Sequence, residues 1–291
     1  MKSIQVLLAV CFFTATTIAQ TTDKKLTAKI EQLISGFNGD VGIYVKSLKT
    51  GKVVAINADT IFPTASMVKV PILVGIMDKL RKKEMRYHQE LIYKDSLLYE
   101  GVDILGSYKN NEKVELSKVL MLMLTTSDNT ASLWLQSLAG TGARINQIMD
   151  SLGFVHTRVN SRTPGRESSR SMYGWGQTTP KEMATLFERM YKKKLLDDSS
   201  SIAMMRMLGR NYWDEEALSQ IPPTVEVFSK NGAVNASRSE VLLVNAPHHP
   251  YVFCIITKNN KDQSWSADNE AWELARKLSK LLWHYYEPNM K

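Results

Sequence analysis

Strand-like sequence occurs in this chain only near its two ends, and that distribution restricts the fold more than any other feature. Residues 41–47 and 53–57 are rich in β-branched and apolar residues, and Leu48-Lys49-Thr50-Gly51 between them reads as a hairpin turn. Runs of the same kind return at 225–230, 240–245 and 251–258, with turns expected at 231–236 and 246–250. Residues 63–217 show helical periods and almost no strand pattern, with clear helices over 116–125, 130–139 and 143–152. Thr179-Pro180-Lys181-Glu182 opens another helix, with a cap, a first-turn proline and a capping-box glutamate. Amphipathic runs at 23–37 and 267–286 close the chain at either end. The strands can pair only by coming together from both termini. The expected fold is therefore α/β of the α+β kind, one antiparallel sheet built from both chain ends and covered by terminal helices. Its sheet subdomain comprises about 20–62 and 218–291, and an all-helical subdomain at about 63–217 is inserted between them.

The first residues have the layout of a secretory signal: Lys2, an apolar run over 4–13, then small residues ending at Ala19 before Gln20. Cleavage after about Ala19 and a secreted, periplasmic destination are expected. The apolar run is too short for a stable membrane anchor. Cys11 would leave with this leader and Cys254 would remain alone, which excludes an intramolecular disulfide. The net charge of +8 is dispersed, and the basic clusters at 79–86 and 191–194 fall late in predicted helices, where cations complement the helix dipole. No nucleic-acid partner is expected, and the chain reads as a monomer. His88, His156, His248, His249 and His284 show no ligand-like spacing, so neither a metal nor a cofactor is expected.

Three short motifs carry chemistry. Ser66 and Lys69 stand one helical turn apart at the head of a predicted helix, where a serine can be a nucleophile and a lysine its base. Backbone N–H groups at that helix start favour a developing oxyanion. Pro71 predicts a kink just after Lys69. Ser127-Asp128-Asn129 sits in the break between two apolar helices, so both Ser127 and Asn129 can face a cleft. Lys230-Asn231-Gly232 closes a predicted strand, and its glycine lets another backbone or a ligand come close.

In this order and on these elements, the motif set resembles that of the class A β-lactamases and the penicillin-binding proteins. The resemblance implies a serine hydrolase acylated at Ser66 by a β-lactam or a peptidoglycan-like amide. Lys69 would accept the proton, Ser127 would relay it to the leaving nitrogen, and Asn129 would bind the substrate amide. Lys230 would hold the substrate carboxylate with Asn231, Gly232 and Arg238 nearby, and the N–H groups of Ser66 and Ala233 would form the oxyanion hole. Tyr99 or Tyr108 would line an aromatic lip. The sequence departs from the family at Asn231, where threonine or serine is usual. It departs again in the long loop 157–178, where Thr163-Pro164 falls at the place of the family's Glu-Pro. Glu167, the loop's one carboxylate, is the candidate deacylating base if the loop folds differently from the family's, and Gly176 stands where an aspartate would bridge to Arg158. Slow breakdown of the acyl-enzyme is therefore expected, and a D-Ala-D-Ala peptidase or a non-enzymatic acylated sensor are the alternatives.

Overall fold

The protein is described by a computed structural model covering residues 21–101 and 103–290, so the leader read over residues 1–19 lies outside the described residues. Helix α1 (Lys24–Ile34) is capped by Asp23, whose carboxylate accepts from Leu26 N at 3.1 Å, and it buries Leu26 and Ile30 one turn apart. Strands β1 (Asp40–Ser47) and β2 (Val53–Ile56) form the expected hairpin. A two-residue strand β3 (Phe62–Pro63) and a 3₁₀ turn (Ala65–Val68) then lead into α2 (Lys69–Arg81). Every residue of α2 from Lys69 to Asp78 is buried, which makes it the central helix of the molecule. Pro71 falls in the first turn of α2, where its missing N–H has no intrahelical acceptor to lose, so the 3₁₀-to-α junction replaces the expected kink.

Short strands β4 (Glu90–Ile92) and β5 (Lys113–Glu115) pair ahead of α3 (Leu116–Met121). The helix predicted over 116–125 is α3 followed by a π-helical turn (Leu122–Thr126), after which come α4 (Asn129–Leu138) and α5 (Thr141–Ser151). The long loop 157–178 holds regular structure: β6 (Arg158–Val159), α6 (Glu167–Tyr173) and β7 (Gly176–Thr178). Strand β7 pairs with both β6 and β3, so the loop is stitched to the residues just before Ser66. A run of this polarity lacks periodicity because its strands are only two or three residues long. Helices α7 (Pro180–Tyr191) and α8 (Asp198–Leu208) complete the middle. Thr179 caps α7 as predicted, but the Glu182 carboxylate accepts from the backbone N–H groups of Val155, His156 and Thr157 and so holds the loop entrance.

The C-terminal strands β8 (Val227–Val234), β9 (Ser237–Val244) and β10 (Tyr251–Lys258) precede α9 (Glu270–Tyr286). They join the N-terminal hairpin in an antiparallel sheet of order β2-β1-β10-β9-β8. Alternate residues of β10 serve two cores: Val252, Cys254 and Ile256 face α2 and the helical middle, whereas Tyr251, Phe253 and Ile255 face α1 and α9. A strand buried on both faces reads as a continuous apolar run, and β10 does. Strand β8 runs four residues past the predicted end, with the tight turn at Asn235-Ala236. The polarity of Lys230-Asn231-Gly232 mimics a turn in sequence, but β8 is an edge strand and tolerates it.

Candidate active site

The turn that carries Ser66 is pressed from two sides. Gly232 on β8 comes so near it that an added Cβ would lie 2.7 Å from both Ser66 N and Thr64 O. Ser239 on β9, a residue the sequence did not single out, donates from Oγ to Thr64 O at 3.0 Å. On the loop side, a Cβ at Gly176 would lie 2.5 Å from Val68 Cγ2 and 2.7 Å from Thr64 Oγ1. Wedged between sheet edge and loop, Ala65 adopts φ 45°, a left-handed conformation costly for a residue with a Cβ. Ser66 is thereby fixed at the head of a buried helix with its side chain half-exposed.

Lys69, fully buried, is the hub. Its Nζ lies 2.9 Å from Ser66 Oγ, 3.0 Å from Ser127 Oγ, 2.6 Å from Ser127 O and 3.0 Å from Asn129 Oδ1. Burial first, and the charge of Lys230 second, hold this amine well below the ordinary lysine range, with Asp128 opposing. A neutral amine has a lone pair, so a serine hydroxyl can donate to it. The π-helical turn delivers Ser127 into this contact by ending on φ 62°. Asp128 is buried and holds the motif together, accepting from Ile104 N, Leu105 N and Ala131 N at 2.6–2.8 Å. Beside it, burial and the Asp128 charge raise the carboxyl of Asp103.

Lys230 is also fully buried and donates to Asn231 O at 2.8 Å and Asn231 Oδ1 at 3.1 Å. Burial pushes its ammonium down to about 7, against the pull of Glu240. Asn231 thus accepts from Lys230 through both its backbone and its side-chain oxygen, where a threonine would offer a hydroxyl oxygen in place of the amide carbonyl. Ala233 follows on the same edge strand. Arg238 is not with them. It pairs with Ala233 on the face of the sheet that meets α9, donates to the carbonyls of Asn235, Ser237 and Ser264, and stacks on Trp265 and Trp272 with 4.7 Å to each ring centre. The expected second cation for a substrate carboxylate is thus spent on the opposite side, because the side-chain period of two turns it away from Lys230.

The loop brings no carboxylate to Ser66. Thr163 Oγ1 donates to Ser161 O, and the side chain packs on Gly142 at the start of α5. Glu167 is exposed at the start of α6 and accepts from Gly165 N at 3.1 Å. Among the described residues, Ser66 Oγ is bonded to Lys69 alone. Gly176 stands opposite Val159, not Arg158, and its contacts leave no room for an aspartate. Arg158 instead pairs with Asp150 and donates to Phe154 O and Thr157 O. The loop is braced internally by Arg166, which donates to Asn160 Oδ1 and Gln177 Oε1. Tyr99 meets Trp175 edge to face, ring centres 5.0 Å apart, whereas Tyr108 packs on the core beside Tyr93. Nothing in the local sequence marks Trp175, because its partner is 76 residues away. A surface concavity of about 640 Å³ lies between α1 and the end of α9 and shares no residue with this network.

Residues 25–286 match the model of the beta-lactamase enzyme family. The chain belongs to that family. Beta-lactamase VEB-1 of Pseudomonas aeruginosa is 22% identical over 98% of this chain and 98% of its own length. The solved PBP-A superposes with a TM-score of 0.82 at 23% identity, covering 92% of this chain and 98% of its own. A Leu-to-Glu mutant of PBP-A, solved as an acyl-enzyme complex with penicillin G, also gives 0.82 at 24% identity, with the same coverage of both chains. The extended-spectrum β-lactamase TLA-1 gives 0.80 at 18% identity over 90% of this chain and 98% of its own. The β-lactamase fold of this chain is thus shared along nearly the whole length of proteins that have diverged far in sequence.

Proposed function

We propose that this protein is a secreted serine hydrolase of the β-lactamase type, acylated at Ser66 by β-lactams. The observation that carries the reading is the buried Lys69 amine, held within 3.0 Å of both the Ser66 and the Ser127 hydroxyls and depressed in pKa. Ser66 Oγ attacks the lactam carbonyl and its proton passes to the neutral Lys69 nitrogen. The oxyanion forms against the N–H groups of Ser66 and Ala233. The C–N bond breaks as Ser127 passes a proton to the leaving nitrogen and recovers one from Lys69. Lys230, steadied by Asn231, holds the substrate carboxylate, Gly232 admits the strand to the nucleophile, and Asn129 binds the acyl amide.

Hydrolysis of the resulting ester needs a base for water, and the loop supplies none beside Ser66, since Thr163 faces α5 and Glu167 faces solvent. Lys69 is the group in place to do this, so turnover is slow and the acyl-enzyme accumulates. The same observation favours a second reading, a protein that keeps its acyl group and reports it. Incubation with a chromogenic cephalosporin, with intact mass read in parallel, tests both. A stoichiometric adduct on Ser66 with slow colour development supports the hydrolase, an adduct without turnover supports the sensor, and no adduct refutes acylation altogether.

A further inference from the structure

Two exposed aromatic side chains stand at the edge of this site without a part in the chemistry described above. Tyr212 is 65% and Trp213 39% exposed, and their rings meet edge to face with centres 5.2 Å apart. Contiguous apolar surface left in water is where binding sites concentrate. The segment bearing them follows α8 and is tied on both sides to the motif carriers. Tyr212 N donates to Thr125 O at 3.0 Å, and Trp213 Nε1 donates to Thr126 O at 2.9 Å, one residue before Ser127. On the other side, Asn211 Nδ2 donates to Ser229 Oγ at 3.1 Å, one residue before Lys230, while Asn211 Oδ1 accepts from Trp213 N at 3.2 Å. The aromatic pair is therefore a fixed platform between Ser127 and Lys230.

Its position separates it from the other aromatic pair. Tyr99 and Trp175 lie on the Asn129 side, since Tyr99 N donates to Thr130 Oγ1 and a Cβ on nearby Gly101 would lie 3.1 Å from Asn129 Nδ2. Resting on the acylation chemistry proposed above, Ser127 and Lys230 serve the leaving nitrogen and the carboxylate of the substrate. We propose that Tyr212 and Trp213 form a stacking wall for the leaving-group half, selecting β-lactams or related amides with a planar, conjugated or aromatic substituent beside the leaving nitrogen. A rigid ring pair with its N–H already bonded offers a face at little entropic cost.

The test uses two cephalosporins with the same acylamino side chain, one with a styryl group and one with a methyl group on the ring carbon conjugated to the leaving nitrogen. The half-saturating concentration for acylation of Ser66 is measured for each by intact mass and stopped-flow, in the unmodified enzyme and in Tyr212→Ala, Trp213→Ala and Trp213→Phe. The unmodified enzyme should favour the styryl compound, and each alanine variant should reduce that preference by about 3- to 10-fold, the usual worth of an aromatic pair. Trp213→Phe, which loses the bond to Thr126 O but keeps a ring, should retain most of the preference. A loss that falls equally on both compounds would show that the pair only packs the turn before Ser127, and would overturn the proposal. An unmodified enzyme that acylates well without preference would overturn it too, and one that forms no adduct with either compound would overturn the acylation reading beneath it.

Discussion

Replacing Gly232 by alanine probes how the sheet edge and the nucleophile turn depend on each other. The added methyl would sit 2.7 Å from Ser66 N, 2.7 Å from Thr64 O and 2.8 Å from Ser239 Oγ, where ordinary contact begins at 3.4 Å. Two of the three are backbone atoms and cannot rotate away, so β8 must retreat from the Ser66 turn by several tenths of an ångström. In stability, the overpacking costs about 1–3 kcal/mol, against a gain of about 0.5–1 kcal/mol from removing a strand glycine. The net loss is modest and the fold survives. Catalysis should suffer more, because a retreat of β8 carries the Ala233 N–H out of register with the Ser66 N–H. Losing one oxyanion donor costs about 10²- to 10³-fold. Gly232→Ala should therefore slow acylation by about 10²-fold, read as the burst phase with a chromogenic cephalosporin, while thermal unfolding drops by a few degrees and circular dichroism is unchanged. Acylation within about threefold of the parent rate, with the fold intact, would refute the reasoning, since about 0.65 kcal/mol of barrier is too little for a misplaced donor.

Ser66→Ala should abolish covalent labelling by penicillin in intact mass spectra without unfolding the protein, and labelling that persists would move the nucleophile elsewhere. Lys69→Ala should slow acylation by about 10²-fold or more, the usual worth of a general base. The pH profile of kcat/KM should be bell-shaped. On the acid side it falls as Lys69, depressed well below ordinary lysine, gains its proton and loses its lone pair. On the alkaline side it falls above about pH 7 as Lys230 loses the charge that holds the carboxylate, and Lys230→Arg should remove that limb. Stability moves the opposite way to activity: the unfolded chain binds more protons than the folded one between about 7 and the ordinary lysine range, so this group's contribution rises with pH across that window. Thr163→Glu should lower stability without hastening breakdown of the acyl-enzyme, because it drives a carboxylate against Gly142, and Glu167→Gln should leave breakdown unchanged; faster breakdown in the first or a stall in the second would relocate the base.

The patterns that are local in sequence determined much of this protein. Apolar, β-branched runs near both ends and period-3.6 runs between them required a sheet assembled from both termini, and the Ser66–Lys69 spacing placed two side chains on one helix face. Those signals survive in sequence because each depends on neighbours only a few residues away. The tertiary structure decided what spacing alone could not. The direction in which Arg238 points follows from its register with Ala233, and the identity of the turn after β8 follows from its pairing with β9. The side to which Thr163 turns is set by Gly142 on another helix, and the role of Gly176 is set by Val68 and Thr64 across a strand pairing. The depressed amine of Lys69 exists only because burial removes it from water and brings Lys230 from 161 residues away to stand beside it. Charge, clash and facing are properties of what a side chain meets, and in this chain the partners that decide the site are brought together only by the sheet that joins its two ends.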